Sequence, residues 1–187
     1  MADFDAIYRE FQPKIERYLG RLVGENDALD LTQAVFLKVS RGLADFRGEA
    51  SLSTWIYRIA TNTARDFAAA ARARTGRSEE LCDDPELWDD LPDPDPVGIE
   101  QGQIRREMND CIRGVVAGLP ENYRAVLLLG EFEELTNAEI AEILGLSPGT
   151  VKIRLHRGRA ALRQALESAC TFYHDGRSEL MCDRKPK

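Results

Sequence analysis

Lys152, Arg154, Arg157, Arg159 and Arg163 fall in a stretch, Ser147 to Arg163, that contains no Asp or Glu. Cations at that density suit the phosphates of a nucleic acid, and the longer donors can also read base edges. Lys152 or Arg157 could reach guanine N7 and O6, whereas Ile153 could touch only a thymine methyl or a sugar carbon. At about 100° per residue, Val151, Leu155, Gly158 and Leu162 share one narrow stripe that must face the protein. Gly149, Thr150, Ile153, His156, Arg157 and Ala160 lie opposite, flanked by Lys152 and Arg154. Ser147 can cap this helix, and Pro148 fits its first position, where a missing N–H costs nothing. Upstream, Ala138, Ile140, Ala141 and Leu144 supply the apolar positions of a second short helix, joined to the first by Gly145-Leu146-Ser147-Pro148. This is the layout of a helix-turn-helix whose second helix enters the major groove. A solvated basic helix would show the charges alone, without the cap, the turn and the missing acids.

A second set of chemically useful residues lies nearer the N-terminus. Arg58, Asn62 and Arg65 stand at i, i+4 and i+7 with Tyr57 and Thr61 beside them, and Arg72, Arg74 and Arg77 follow. Charge for a backbone, together with amide, hydroxyl and aromatic groups for exposed bases, is what a single strand requires. The helix that carries them is predicted from near Ser51, with Leu52, Trp55, Ile56, Ile59, Ala60, Thr63 and Phe67 as its apolar face. Trp55 at that spacing is expected in a core rather than as a platform for a base. Two further helices must position it. Phe4, Ile7, Tyr8, Phe11, Ile15, Tyr18, Leu19 and Leu22 mark the first; Leu29, Leu31, Val35, Phe36, Val39 and Leu43 mark the second, with Asn26 or Asp27 as its cap. A loop, Phe46-Arg47-Gly48-Glu49-Ala50, leads into the third. No strand alternation is predicted anywhere, and the three helices should form one bundle.

At 187 residues with 43% hydrophobic content, the chain has room for one or two small domains with helical cores. No apolar run approaches the roughly 18 residues that span a bilayer, and no charged-then-apolar leader is visible, so a cytoplasmic location without membrane insertion is expected. Cys82, Cys111, Cys170 and Cys182 lack metal-type spacing and are expected as free thiols in a reducing compartment. The net charge of −7 looks hostile to nucleic acid, but residues 78 to 100 hold ten acids and no base, and without them the remainder carries +3. That segment, with Pro85, Pro92, Pro94 and Pro96, is expected as an extended linker. A surplus of +3 is modest for holding DNA unaided, which implies a larger partner.

Beyond the linker, Ile104, Met108, Cys111, Ile112, Val115 and Val116 form an apolar stripe, Leu119-Pro120 breaks it, and Ala125 to Leu129 is densely apolar. With Ile140, Leu144, Val151 and Leu155 they could close a four-helix second core. The end of the chain carries Cys170, His174 and Cys182, types that ligate zinc, at a spacing too irregular to form a motif. No metal or other cofactor is expected, and the tail should simply pack.

Several ordered motifs together resemble one family. These are Asp27-Ala-Leu-Asp-Leu-Thr-Gln-Ala-Val-Phe-Leu-Lys-Val39, Phe46-Arg-Gly-Glu-Ala50, Ser53-Thr-Trp-Ile-Tyr-Arg-Ile-Ala-Thr-Asn-Thr-Ala-Arg65, Leu119-Pro, Ala138-Glu-Ile-Ala and Gly149-Thr-Val-Lys-Ile-Arg-Leu-His-Arg-Gly-Arg159. In that order they resemble the extracytoplasmic-function sigma factors of bacteria, over roughly residues 3 to 74 and 104 to 167. The resemblance implies an all-α chain of two small helical domains joined by the acidic, Pro-rich linker. A promoter-melting and polymerase-docking domain (region 2) would occupy 1–75, the linker 76–102, a helix-turn-helix domain for the minus 35 element (region 4) 103–168, and a tail 169–187. It implies an initiation subunit rather than an enzyme, one that binds the clamp coiled coil and the flap of core RNA polymerase. Asp30 and Gln33 match the clamp-docking surface. The Phe46 to Ser51 loop, with Phe46, Arg47 and Gly48, matches the pocket for a base flipped out of the minus 10 strand, where stacking and edge hydrogen bonds offset the cost of extrusion. Tyr57, Arg58, Asn62 and Arg65 match the helix that reads that strand. Thr150, Lys152, Ile153, Arg154, His156 and Arg157 lie on or beside the minus 35 reading face. Ile153 and His156 depart from many relatives, so the promoter sequence does not carry over. The resemblance further implies control by an anti-sigma factor that covers both faces and could hold the chain near a membrane.

Two other classes fit less of the chain. A free-standing repressor would account for residues 135 to 163 but would dimerise on a palindrome and leave the N-terminal bundle unexplained. An enzyme acting on nucleic acid would need a catalytic constellation, yet His156 and His174 are the only histidines and the carboxylates concentrate in the linker.

Overall fold

The structure, a computed structural model, describes residues 3–75, 114–174 and 180–185. The expected linker, Arg77, Cys82, Cys111 and the stripe positions Ile104 to Ile112 lie outside these residues. The described elements are α1 (Phe4–Val23), α2 (Glu25–Gly42), a 3-10 turn (Leu43–Asp45), α3 (Leu52–Thr75), a helical turn at 114–117, α4 (Glu121–Leu127) running into a π-helical segment (Leu128–Phe132), α5 (Asn137–Leu144) and α6 (Pro148–Ala169). Two short strands, β1 (Cys170–His174) and β2 (Leu180–Arg184), follow.

The all-α class holds for the two helical regions, but the hairpin corrects the expectation of no strand. Its antiparallel register pairs Cys170 with Arg184, Phe172 with Cys182 and His174 with Leu180. Single-sequence periodicity missed it because each strand is only five residues long and ladder bonds with a second strand, not alternation, define it.

Of the described residues, 3–75 with 128–152 form one compact unit, and 114–127 with 153–174 and 180–185 a second. In the first, α1 begins at Asp3, whose carboxylate accepts the Asp5 amide at 3.1 Å. It buries Ile7, Phe11, Ile15, Tyr18, Leu19 and Leu22, the i, i+4, i+8 series read from sequence. The junction to α2 is the single residue Gly24 at φ 114, a conformation that suits glycine. Helix α2 therefore starts at Glu25, and the expected caps Asn26 and Asp27 stand inside its first turn, where Asp27 favours the helix dipole instead. Leu29 is a second correction. The buried positions of α2 are Ala28, Leu31, Thr32, Val35, Phe36 and Val39, while Leu29 is 52% exposed. Full burial of Ile15, Leu19, Val35, Val39 and Ile56 contributes about 1.5–3 kcal/mol per side chain and makes this bundle a stable platform.

Segment 128–152 completes the first unit. Its helix α5 is fixed by a reciprocal capping box, in which Thr136 Oγ1 accepts the Glu139 amide at 3.3 Å and Glu139 Oε2 accepts the Thr136 amide at 2.9 Å. The bond from the Thr136 amide, and after it the Thr136 hydroxyl, which donates to Glu139 Oε2 at 2.8 Å, hold the Glu139 carboxyl below its ordinary value. Gly145, at φ 68, ends α5 in a left-handed cap and turns the chain toward α6. Within α5, Ile140, Ala141, Ile143 and Leu144 are buried. Ala138, expected on the apolar side, is exposed.

In the second unit, Val116, Leu119, Tyr123, Ala125, Val126, Leu127, Leu155 and Cys170 are buried. Gly158 lets α6 pass close to α4: a Cβ there would stand 3.1 Å from Leu127 Cγ and 3.5 Å from Tyr123 Cβ. The hairpin is tied to the end of α6 by the Lys185 amide donating to the Ala169 carbonyl at 2.9 Å.

Candidate nucleic-acid interface

Helix α6 presents the basic face as its helical angles require. Ser147 Oγ accepts the Thr150 amide at 3.1 Å and meets the Thr150 hydroxyl at 2.8 Å, so Ser147 is the N-cap and Pro148 opens the helix. Val151 and Leu155 are buried, Gly158 faces Leu127, and Leu162 is half-buried. On the other side Lys152 is exposed, Ile153 is 54% exposed, and Thr150, Arg154, His156 and Arg157 are partly exposed. Ile153 thus stands as an exposed apolar side chain near the N-terminal end of the helix, beside Lys152 and Arg154.

Helix α3 carries the second candidate face. Ser51 caps it by accepting the Thr54 amide at 3.0 Å. Asn62 is exposed, and Arg58 and Arg65 are half-buried, so the cationic and amide residues share an accessible side. Tyr57 and Thr61 do not stand with them, which corrects the sequence expectation. Tyr57 is 2% exposed and Thr61 1%. The Tyr57 ring meets Tyr18 edge-on at 5.4 Å, and its hydroxyl donates to the Glu133 carboxylate. The helical angle of Tyr57 places it at the margin of the accessible face; the packing of α1 and of segment 128–152 decides that it turns inward. Burial, reinforced by the neighbouring carboxylate, pushes its phenol far above the ordinary value. Burial likewise raises the Glu133 carboxyl, against the lowering effect of the Tyr57 hydrogen bond and of Arg21, Arg17 and Lys14. Arg58 pairs with Glu142 at 3.4 Å.

The loop before α3 contains Phe46, half-buried, with Arg47 and Gly48 exposed. The Phe46 and Trp55 rings lie 5.0 Å apart at 38°. Trp55 approaches the end of α2 so closely that a Cβ on Gly42 would stand 3.0 Å from its ring. Gly48 holds φ 74, a left-handed conformation that suits glycine. Asp30 and Gln33 are exposed on α2, and Leu29 and Leu37 (52% and 53% exposed) extend the same outward side at i, i+4 and i+8.

Of the metal candidates, Cys170 is buried, and the side chains of His174 and Cys182 lie outside the described residues. Among the described residues no group of three or more His, Cys, Asp or Glu could hold a metal ion. None of the described helices is long and apolar enough to cross a membrane. Reading the sequence alone missed Glu133 and Glu142 as partners of α3, because both are polar residues of ordinary spacing whose partners lie 76 and 84 residues away.

Residues 7–74 match the model of sigma-70 region 2, and residues 109–162 that of sigma-70 region 4. RNA polymerase sigma-H factor of Pseudomonas aeruginosa is 34% identical over 166 residues, 88% of this chain and 86% of that protein. The ECF RNA polymerase sigma-E factor of Haemophilus influenzae is 32% identical over 88% of this chain and 87% of its own length. Among solved structures, sigma factor RpoE of Bartonella quintana, in complex with the anti-sigma factor NepR, superposes with a TM-score of 0.66 at 21% identity, covering 89% of this chain and 98% of that one. CnrH, in complex with the cytosolic domain of CnrY, gives 0.59 at 20% identity over 88% of each. Two matched regions in the family's order, with relatives at 34% and 32% identity over 88% of the chain, identify it as a member of the sigma-70 family, among its extracytoplasmic-function sigma factors.

Proposed function

We propose that this sigma factor engages its promoter through two separate faces. Members of the family bind core RNA polymerase and promoter DNA and direct transcription initiation, so the chain acts by recognition rather than as an enzyme. In this reading Thr150, Lys152, Ile153, Arg154, His156 and Arg157 of α6 meet the minus 35 duplex in the major groove. Arg58, Asn62 and Arg65 of α3, with the Phe46, Arg47 and Gly48 loop, hold the minus 10 strand and a flipped base. Asp30 and Gln33, with Leu29 and Leu37 beside them, dock on the polymerase clamp, and the second region contacts the flap. The functional domains are residues 1–75 and 103–168, with 76–102 as linker and 169–187 as tail.

The observation that carries this reading is the division of α6 into a buried stripe, Val151 and Leu155, and a cationic outward face on which Ile153 is more than half exposed. An anti-sigma factor is the proposed regulator, because similar folds are described in such complexes. The chain works in the bacterial cytoplasm, and an anti-sigma factor anchored in the membrane would hold it there until release. Addition of the protein to core RNA polymerase and promoter DNA tests the central claim. Specific transcripts are expected, and their absence from every promoter tried, including the promoter of its own operon, overturns it. Asp30→Ala with Gln33→Ala should weaken core binding, and unchanged binding removes the docking assignment. Recovery of core polymerase alone from uninduced cells would remove the anti-sigma factor.

A further inference from the structure

Ile153 lies early in α6, which begins at Pro148, and it is 54% exposed on the outward side, between exposed Lys152 and partly exposed Arg154. One turn earlier on the same side stands Gly149, where an added Cβ would meet only Ser147 Oγ, at 3.8 Å, so no side chain crowds the approach from the helix start. A β-branched side chain in a helix holds one strongly preferred χ1, and its methyl groups keep their place with little rotamer freedom left to lose. We propose that Ile153 is a specificity-determining residue of the minus 35 contact, restricting one base pair to thymine by packing on the thymine 5-methyl group in the major groove.

The inference rests on the minus 35 role given to α6 above. Each base pair offers the major groove its own set of donors and acceptors, and thymine alone adds a methyl group. The isoleucine side chain has neither donor nor acceptor. Against guanine, adenine or cytosine it would cover polar edge atoms and return no bond to them, which is costly. Against thymine, methyl meets methyl and both leave water, which is favourable. A single side chain thereby favours one base and penalises the other three. Lys152 and Arg154 on either side bring charge that any phosphate accepts, whatever the sequence, and their long stems can adjust their reach. Ile153 has no such latitude. Arg157 follows four residues later on the same side, about 6 Å along the helix axis, while base pairs rise by about 3.4 Å. The thymine therefore falls within about two base pairs of any pair that Arg157 contacts.

The test uses the full chain assembled with core RNA polymerase, and duplexes carrying the promoter of its own operon randomised over the minus 35 region. Selection for binding should return thymine at one fixed position, and the Ile153→Ser holoenzyme should lose that preference. In a selected duplex, replacing this thymine by deoxyuridine removes only the 5-methyl group. Wild-type affinity should then fall about three- to fivefold, the value of one methyl group taken out of water, whereas Ile153→Ser should bind the two duplexes alike. Ile153→Val keeps the branch and should remain sensitive to the methyl group. Selected duplexes without a fixed thymine, a wild type indifferent to the methyl group, or an Ile153→Ser holoenzyme that still feels it would each overturn the proposal while leaving α6 as the reading helix. Selection that returns no minus 35 preference of any kind would remove the role of α6, and the inference with it.

Discussion

Replacing Thr61 with Val should cost more stability than replacing Tyr18 with Phe, although each removes one hydroxyl from the same hydrogen bond. The two oxygens lie 2.8 Å apart, with Tyr18 0% and Thr61 1% exposed. Thr61 Oγ1 already gives its only hydrogen to the Tyr57 carbonyl at 2.8 Å, so the Tyr18 hydroxyl must be the donor. Burial holds the Tyr18 phenol well above its ordinary value, and it therefore remains a donor at any working pH. In Tyr18→Phe, Thr61 keeps its hydrogen satisfied and loses only an accepted bond, a cost of about 0.5–1 kcal/mol. In Thr61→Val the phenol hydrogen is stranded in a dry core, a cost of about 1–3 kcal/mol. Combining the two substitutions removes donor and acceptor together, and the double variant should recover about 1 kcal/mol relative to Thr61→Val alone. Urea unfolding followed by circular dichroism gives the three values. A double variant less stable than Thr61→Val would show that the donor assignment, and with it this account of how α1 supports α3, is wrong.

Three other outcomes are expected. Arg157→Ala should weaken binding to the cognate minus 35 duplex by about five- to a hundredfold, the value of a good base contact, in fluorescence anisotropy at fixed salt; unchanged affinity contradicts its placement. Gly158→Val should destabilise the chain by about 1–3 kcal/mol through overpacking against Leu127, read as a lower urea midpoint, and a wild-type midpoint would show that the contact yields. The third concerns pH. Because burial raises the Glu133 carboxyl above 4.5 in the folded chain, the folded state binds more protons than the unfolded between those two values. Stability should fall as pH rises from about 4.5 through the raised value, with Tyr57, Arg21, Arg17 and Lys14 as the groups facing the carboxyl. Glu133→Gln should flatten that part of the stability profile, and a variant with the wild-type slope would place the titration elsewhere.

Some of this molecule was legible in the sequence because local rules decide it. The stripe Val151, Leu155 and Gly158, the Ser147 cap with Pro148 behind it, and the Ser51 start of α3 each follow from spacing within a few residues of chain. The cationic face of α6 follows as well, since whatever is not in the stripe must face away. Leu29 escaped because an apolar residue one position off the α2 stripe looks like core until the bundle shows which side α1 covers. Tyr57 was misplaced for a related reason: its angle on α3 permits either outcome, and Tyr18 and Glu133, at 39 and 76 residues' separation in the sequence, settle the choice. The hairpin of Cys170–His174 with Leu180–Arg184 needed a strand partner before either segment could be recognised. Periodicity thus determined which helices form and which side each buries, because those are properties of one helix in water. Only the tertiary structure decided which polar and aromatic residues at the edge of a stripe are withdrawn, because that depends on a second surface arriving from far along the chain.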